Sequence, residues 1–217
     1  MVDLIAGLRA ETVRANLERV REAIADAGRN PDAIEILAAV KYLPAESLQA
    51  LAEGGVSLVG ENRAQELAAK QTAPGAQSLT WDFIGALQSR KVRDLIGRVR
   101  LIHSVASDSA LAQLARHGTP ETEILVEVNV AGEAGKSGIA PAELGDFLAR
   151  CPVRTTGLMT MPPRAERPQD SRPYFAALAE LAAEHGLTRL SMGTSQDYAS
   201  AAQEGATIVR LGTVLYR

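Results

Sequence analysis

The chain has 217 residues, 46% of them apolar and 4% aromatic, with 23 basic side chains against 26 acidic ones. That length suits one domain with a full hydrophobic core, so residues 1–217 are read as a single domain. A net charge of −3 leaves no basic footprint for nucleic acid, and the lone Cys151 excludes an internal disulfide framework.

No run approaches the ~18 apolar residues of a membrane span. The N-terminus reads Met-Val-Asp-Leu, with neither a basic nor an apolar leader region, so a cytoplasmic protein is expected. In chain order, residues 1–27 read as a helix. Val13, Leu17, Val20 and Ile24 recur at helical steps, and Gly28, Asn30 and Pro31 stop it. Eight short apolar runs follow, at 34–40, 56–59, 81–85, 101–105, 123–130, 153–159, 188–192 and 207–211. They are continuous more than alternating, as strands buried on both faces should be.

The segments between the runs carry helix signals. Pro44 precedes a stripe of Ala45, Leu48, Leu51 and Ala52, and residues 88–98, 107–117 and 141–150 are patterned alike. Residues 172–185 are closed by Gly186, and 196–204 by Gly205. Four prolines between 162 and 173 mark a flexible loop over one end of the molecule. Eight strands alternating with helices predict a single (β/α)8 TIM-type barrel with an extra N-terminal helix, which would stand in for the one missing after the last strand. An open doubly wound sheet would want a glycine-rich turn after the first strand, and none is there.

Barrel chemistry sits at the C-terminal ends of the strands. Lys41 follows the first strand, which should be core. A lysine at the inner mouth is partly desolvated, and a neutral amine forms Schiff bases with aldehydes. The alternative is a lysine that snorkels from the strand end into water. Lys70 and Lys91 fall on helical faces and read as solvated charges. Gly193-Thr194-Ser195 and Gly212-Thr213 follow the last two strands, the recurrent phosphate position of such barrels. The alternative is that Thr194 or Ser195 only caps its own helix. A lysine opposite a phosphate cradle suits pyridoxal 5′-phosphate, and also a phosphosugar aldolase. Arg210 could face a pyridine nitrogen or pair with a carboxylate inside the barrel.

With these blocks in order, the sequence resembles the pyridoxal phosphate homeostasis protein family, related to the barrel domain of alanine racemases. The matching blocks are Ala39-Val40-Lys41 with Pro44, Gly60-Glu61-Asn62-Arg63-Ala64-Gln65-Glu66, and Trp81 through Gln88. His103-Ser104-Val105, then Val128-Asn129 with Glu133, Lys136 and Gly138, continue the pattern. Gly157-Leu158-Met159, Leu190 through Gly193 with Ser195 and Asp197, and Val209 through Thr213 complete it.

The resemblance implies pyridoxal 5′-phosphate held as a Schiff base on Lys41, with Ser195, Gly212 and Thr213 on the phosphate. It implies Arg210 at the ring nitrogen and Asn62 near the cofactor. It also implies a carrier in vitamin B6 homeostasis that hands the cofactor to apo-enzymes, with no robust turnover. Asp82, Arg90, Thr194 and Tyr42 depart from the usual residues, which bears on cofactor affinity.

An arginine at the ring nitrogen disfavours ring protonation and weakens carbanion chemistry. A racemase needs a second acid–base group, which alanine racemases draw from a tyrosine across a dimer with a second domain. The chain ends at Arg217, so no such domain is expected. The alternatives are a small amino-acid racemase or aldolase, and an interaction scaffold on an inactive barrel. A monomer is expected, His103 reads as buried and hydrogen-bonded, His117 and His185 sit at helix ends, Cys151 is structural, and no metal cluster is visible.

Overall fold

The computed structural model describes Ile5 and residues 7–217. The predicted helix at residues 1–4 and 6 lies outside them. The eight apolar runs form a closed barrel of parallel strands in sequential order, β1 beside β8. The chain runs α1 (Ala10–Asp26), β1 (Glu35–Ala39), α2 (Leu48–Glu53), β2 (Leu58–Glu61), α3 (Ala64–Lys70) and β3 (Thr80–Phe83). It continues with α4 (Val92–Leu95), β4 (Leu101–Val105), α5 (Asp108–His117), β5 (Glu123–Glu127), α6 (Leu144–Ala149) and β6 (Arg154–Met159). It closes with α7 (Arg172–Glu184), β7 (Arg189–Ser191), α8 (Tyr198–Gln203), β8 (Ile208–Leu211) and α9 (Thr213–Tyr216).

The two-residue period of a strand sorts each side chain to the helix layer or the lumen. Leu37, Leu58, Leu101, Leu125, Met159 and Ile208 form an apolar cluster of their own, separate from the core under the helices. That cluster fills the lumen. Two residues further along the same strands come Ala39, Gly60, His103, Glu127, Met161 and Arg210, and four along come Lys41 and Asn62. The phase of the apolar layer therefore aims the polar residues at the C-terminal mouth.

Some boundaries move for local reasons. The second strand starts at Leu58, two residues late, because the Val56 amide donates to the Leu51 carbonyl at 3.1 Å and finishes α2. The fifth stops at Glu127, since Val128 bridges Ile139 as the glycine-rich loop folds back. The predicted helix over 88–98 is cut to a 3-10 turn and α4, because Ile96 turns extended and Gly97 takes a φ of 73°.

The N-terminal helix does lie where a final helix would be, but a four-residue α9 also follows β8 and packs on it. The buried Asn16 amide holds the two together, donating to the carbonyls of Leu215 at 3.1 Å and Arg217 at 3.0 Å. Replacing Asn16 by alanine leaves those acceptors short of a donor. It should lower unfolding free energy by about 1–3 kcal/mol, read as an earlier urea midpoint at unchanged slope. An unmoved midpoint would count against this clamp.

Candidate functional site

Lys41, Asn62, Ser195, Arg210, Gly212 and Thr213 line one cavity of about 410 Å³ at the C-terminal mouth. The sequence places them 172 positions apart at the extremes (213 − 41), and strand order brings them together. Tyr42, Met161, Thr194 and Tyr216 complete its polar and sulfur-bearing wall. A second cavity of about 470 Å³ lies under the proline-rich loop and shares Met161 and Thr194 with the first.

Lys41 is half-buried in the turn after β1, with Nζ 4.8 Å from the centre of the Tyr42 ring. Asn62 follows the end of β2, and its Oδ1 is buried with no hydrogen-bond partner among the described residues. A buried acceptor left unpaired costs about 1–3 kcal/mol unless something donates to it, so this atom calls for a ligand donor. The chain passes tightly here: a Cβ on Gly85 would stand 2.1 Å from the Asn62 carbonyl oxygen. Only glycine fits.

The last two loops meet through Ser195. Its Oγ accepts from the amides of Gly212 at 3.0 Å and Val214 at 3.4 Å. It does not cap α8. Asp197 ties that loop, its Oδ1 accepting from Thr194 N at 2.7 Å and Thr194 Oγ1 at 3.0 Å. With its oxygen so occupied, the Ser195 hydroxyl keeps its own proton to donate. That hydroxyl proton is the donor this cluster offers an anion's oxygen, since the Gly212 and Val214 amides are taken by Ser195 itself.

Arg210 forms the floor. Nη1 donates to Ser191 Oγ at 2.6 Å, and Nη2 to the Thr160 carbonyl and Met161 Sδ, both at 2.8 Å. No carboxylate is hydrogen-bonded to it among the described residues. Burial pushes its guanidinium down to about 10, against the pull of Glu127 and Asp197. It therefore stays charged at neutral pH.

Behind Arg210 runs a chain of polar groups through the lumen. Ser191 Oγ lies 2.8 Å from His103 Nδ1, and His103 Nε2 lies 3.1 Å from Asp82 Oδ2. Asp82 accepts from Arg100 at 2.7 and 3.0 Å, and Arg100 also pairs with Glu35. The directions follow from the two ends. Arg210 only donates, so Ser191 accepts from it, and the ionised Asp82 only accepts, so His103 donates to it from Nε2. Burial keeps the imidazole neutral, which leaves Nδ1 to accept the Ser191 proton. Burial lowers the imidazole below its usual range, against the pull of Asp82. Burial also acts to raise the Asp82 carboxyl, but the bonds from His103 and Arg100 outweigh it and leave it low.

Sequence reasoning misses two residues of the site: Ser191, which reads as a strand end, and Tyr216. Tyr216 is buried, its hydroxyl donating to the Ala39 carbonyl at 2.9 Å. Lys70 is buried rather than solvated. The available signal was that Ala64, Leu67 and Lys70 recur every three residues on one face of α3, and all three are buried. Of the departures, Tyr42 and Thr194 line the cavity and Asp82 sits in the lumen. Arg90 is exposed, bonded to Gln88.

The family model of the alanine racemase N-terminal domain matches residues 8–217. A pyridoxal phosphate homeostasis protein of Aquifex aeolicus is 40% identical over 213 residues, 92% of this chain and 93% of that protein. The chain belongs to the pyridoxal phosphate homeostasis protein family. A second member, from Pseudomonas aeruginosa, is 38% identical over 217 residues, 95% of this chain and 94% of its own. The structure of PipY of Synechococcus elongatus with PLP bound superposes at a TM-score of 0.77 and 30% identity, covering 94% of this chain and 100% of that one.

The neutral His103 has a consequence for acid stability. In the unfolded chain it binds a proton as pH falls through about 6.5, while the folded state, with its lowered value, does not. The unfolded state then holds more protons, so stability falls with pH. Asp82 acts in the same direction lower down, since its stabilising contribution is complete above its unfolded value and fades below it. Between pH 7 and 5 the parent should therefore lose stability more steeply than His103→Asn, by at most about 1.4 kcal/mol per pH unit. Urea unfolding at a series of pH values reads the two slopes, and equal slopes would contradict the assignment.

Proposed function

We propose that this barrel binds pyridoxal 5′-phosphate reversibly at Lys41 and serves as a carrier that supplies the cofactor to apo-enzymes. The observation that carries the reading is the convergence on one cavity of a lysine, an unpaired buried Asn62 acceptor, a fixed arginine and the Ser195–Gly212 cluster. The residues present fit the group. The Lys41 amine would attach the aldehyde carbon, and the Ser195 hydroxyl, with Gly212 and Thr213 beside it, would hold the phosphate. Asn62 Oδ1 would accept from a hydroxyl donor. When bound, the cofactor would supply an aldehyde that condenses reversibly with an amine.

The chain's own residues favour holding over turnover. Arg210 keeps a positive charge in the cavity floor, locked by three acceptors. A fixed cation opposes protonation of a nitrogen set against it, and an unprotonated pyridine is a weak electron sink. A racemase would need a second acid–base group. Tyr216 lines the cavity, but its hydroxyl proton is held on the Ala39 carbonyl, and burial pushes the phenol up. It is a poor base at neutral pH.

The carrier reading extends to a monomer working in the cytoplasm. Cys151 is the sole cysteine, half-buried with Sγ on the Phe147 carbonyl, and no helix among the described residues is long and apolar enough to cross a membrane. Absorbance titration with the cofactor tests the central claim. The parent should show the band of a lysine-bound cofactor and pass it to an apo-enzyme, and Lys41→Ala should do neither. Ser195→Ala should keep the band but bind about tenfold more weakly. An intact band in Lys41→Ala would overturn the proposal.

A further inference from the structure

Lys70 and Glu61 form a buried ion pair outside the cavity wall, with Nζ 2.6 Å from Oε2 and side-chain exposures of 7% and 0%. The same ammonium donates to the Val40 carbonyl at 2.6 Å. Val40 immediately precedes Lys41, and its carbonyl also accepts from the Leu43 amide at 3.0 Å, closing the turn that carries the lysine. The other oxygen of Glu61 accepts from the amides of Asn62 at 2.7 Å and Arg63 at 3.0 Å. One pair thus grips the main chain beside two residues of the cavity, at the ends of two neighbouring strands.

A buried pair is a weak source of stability, because desolvation of both ions offsets their attraction. Apolar side chains of similar volume could fill this space under α3 as well. What they could not do is donate to the Val40 carbonyl and accept two amides at once. The bonds that distinguish this pair from an apolar one all end on the backbone of the site.

We propose that Lys70 and Glu61 are positioning residues, a clasp that holds the backbone at Lys41 and Asn62 in the arrangement that cofactor binding requires. This rests on the cofactor reading of the cavity. A shift of even a fraction of an ångström in either strand end would move the amine relative to the Ser195–Gly212 cluster.

The test is Lys70→Met with Glu61→Met, which removes both charges and every side-chain bond to the Val40, Asn62 and Arg63 main chain, and leaves no unpaired buried ion. Hydrogen exchange of the cofactor-free protein reads the clasp without any ligand. Peptides covering 40–43 and 61–63 should exchange about tenfold faster, with β4 to β6 unchanged, and the bound cofactor should dissociate about tenfold faster. Lys70→Met alone keeps the Glu61 bonds to the Asn62 and Arg63 amides, so it should loosen 40–43 and spare 61–63. It also serves if the double variant does not fold. Exchange at these segments or cofactor dissociation within about twofold of the parent, in a folded double variant, would overturn the proposal. So would unchanged exchange at 40–43 in Lys70→Met. A parent that takes up no cofactor counts against the proposed function instead, and the exchange measurement still decides the clasp.

Discussion

A charged guanidinium inside a closed barrel must be satisfied on every side, and the arrangement around Arg210 follows from that demand. Removing an ion from water is expensive unless hydrogen bonds replace the lost hydration. Here Ser191, the Thr160 carbonyl and Met161 supply them. Ser191 accepts from Arg210 and gives its own proton to His103, which burial keeps neutral and whose other nitrogen donates to the ionised Asp82. Asp82 in turn needs Arg100, which reaches Glu35 near the N-terminal rim. A single buried cation thus organises polar groups from five strands, β8, β7, β4, β3 and β1, with Arg100 just ahead of β4.

That organisation leaves the mouth rigid from below and open above. The charge at Arg210 cannot swing toward solvent, because both terminal nitrogens are engaged. The groups that face outward are of another kind: a half-buried lysine, an amide oxygen unpaired among the described residues and a serine hydroxyl. None of these is a charged acid–base pair across the cavity. A site with a fixed cation beneath and a lysine amine at its rim suits retention and release of an electrophilic ligand better than repeated proton transfer. The Lys70–Glu61 pair extends the same logic to the rim, since its hydrogen bonds end on main chain beside Lys41 and Asn62.

Much of this was legible in the sequence, for a physical reason. Strands covered on both faces are continuous apolar runs, so eight runs separated by helix signals could be counted. The ends of those runs are the mouth of the barrel, which is why Lys41, Asn62, Arg210 and the Ser195 and Gly212 loops could be singled out. What could not be read depends on contacts across the lumen. Nothing near Asp82 in sequence says that His103 and Arg100 will meet it, and Ser191 looks like any strand end. Lys70 misled because α3 is only seven residues long, so two apolar neighbours on its face are a thin signal. Its burial depends on Glu61 arriving from β2. Val56 misled differently, being apolar and next to a strand while its amide belongs to the end of α2.

The most direct measurement is reductive trapping. The protein would be saturated with pyridoxal 5′-phosphate, reduced with borohydride, digested and mapped by mass. One pyridoxyl adduct on the peptide that carries Lys41, with the other three lysines unmodified, is the result this account predicts. No adduct, or one confined to Lys70, Lys91 or Lys136, would contradict it.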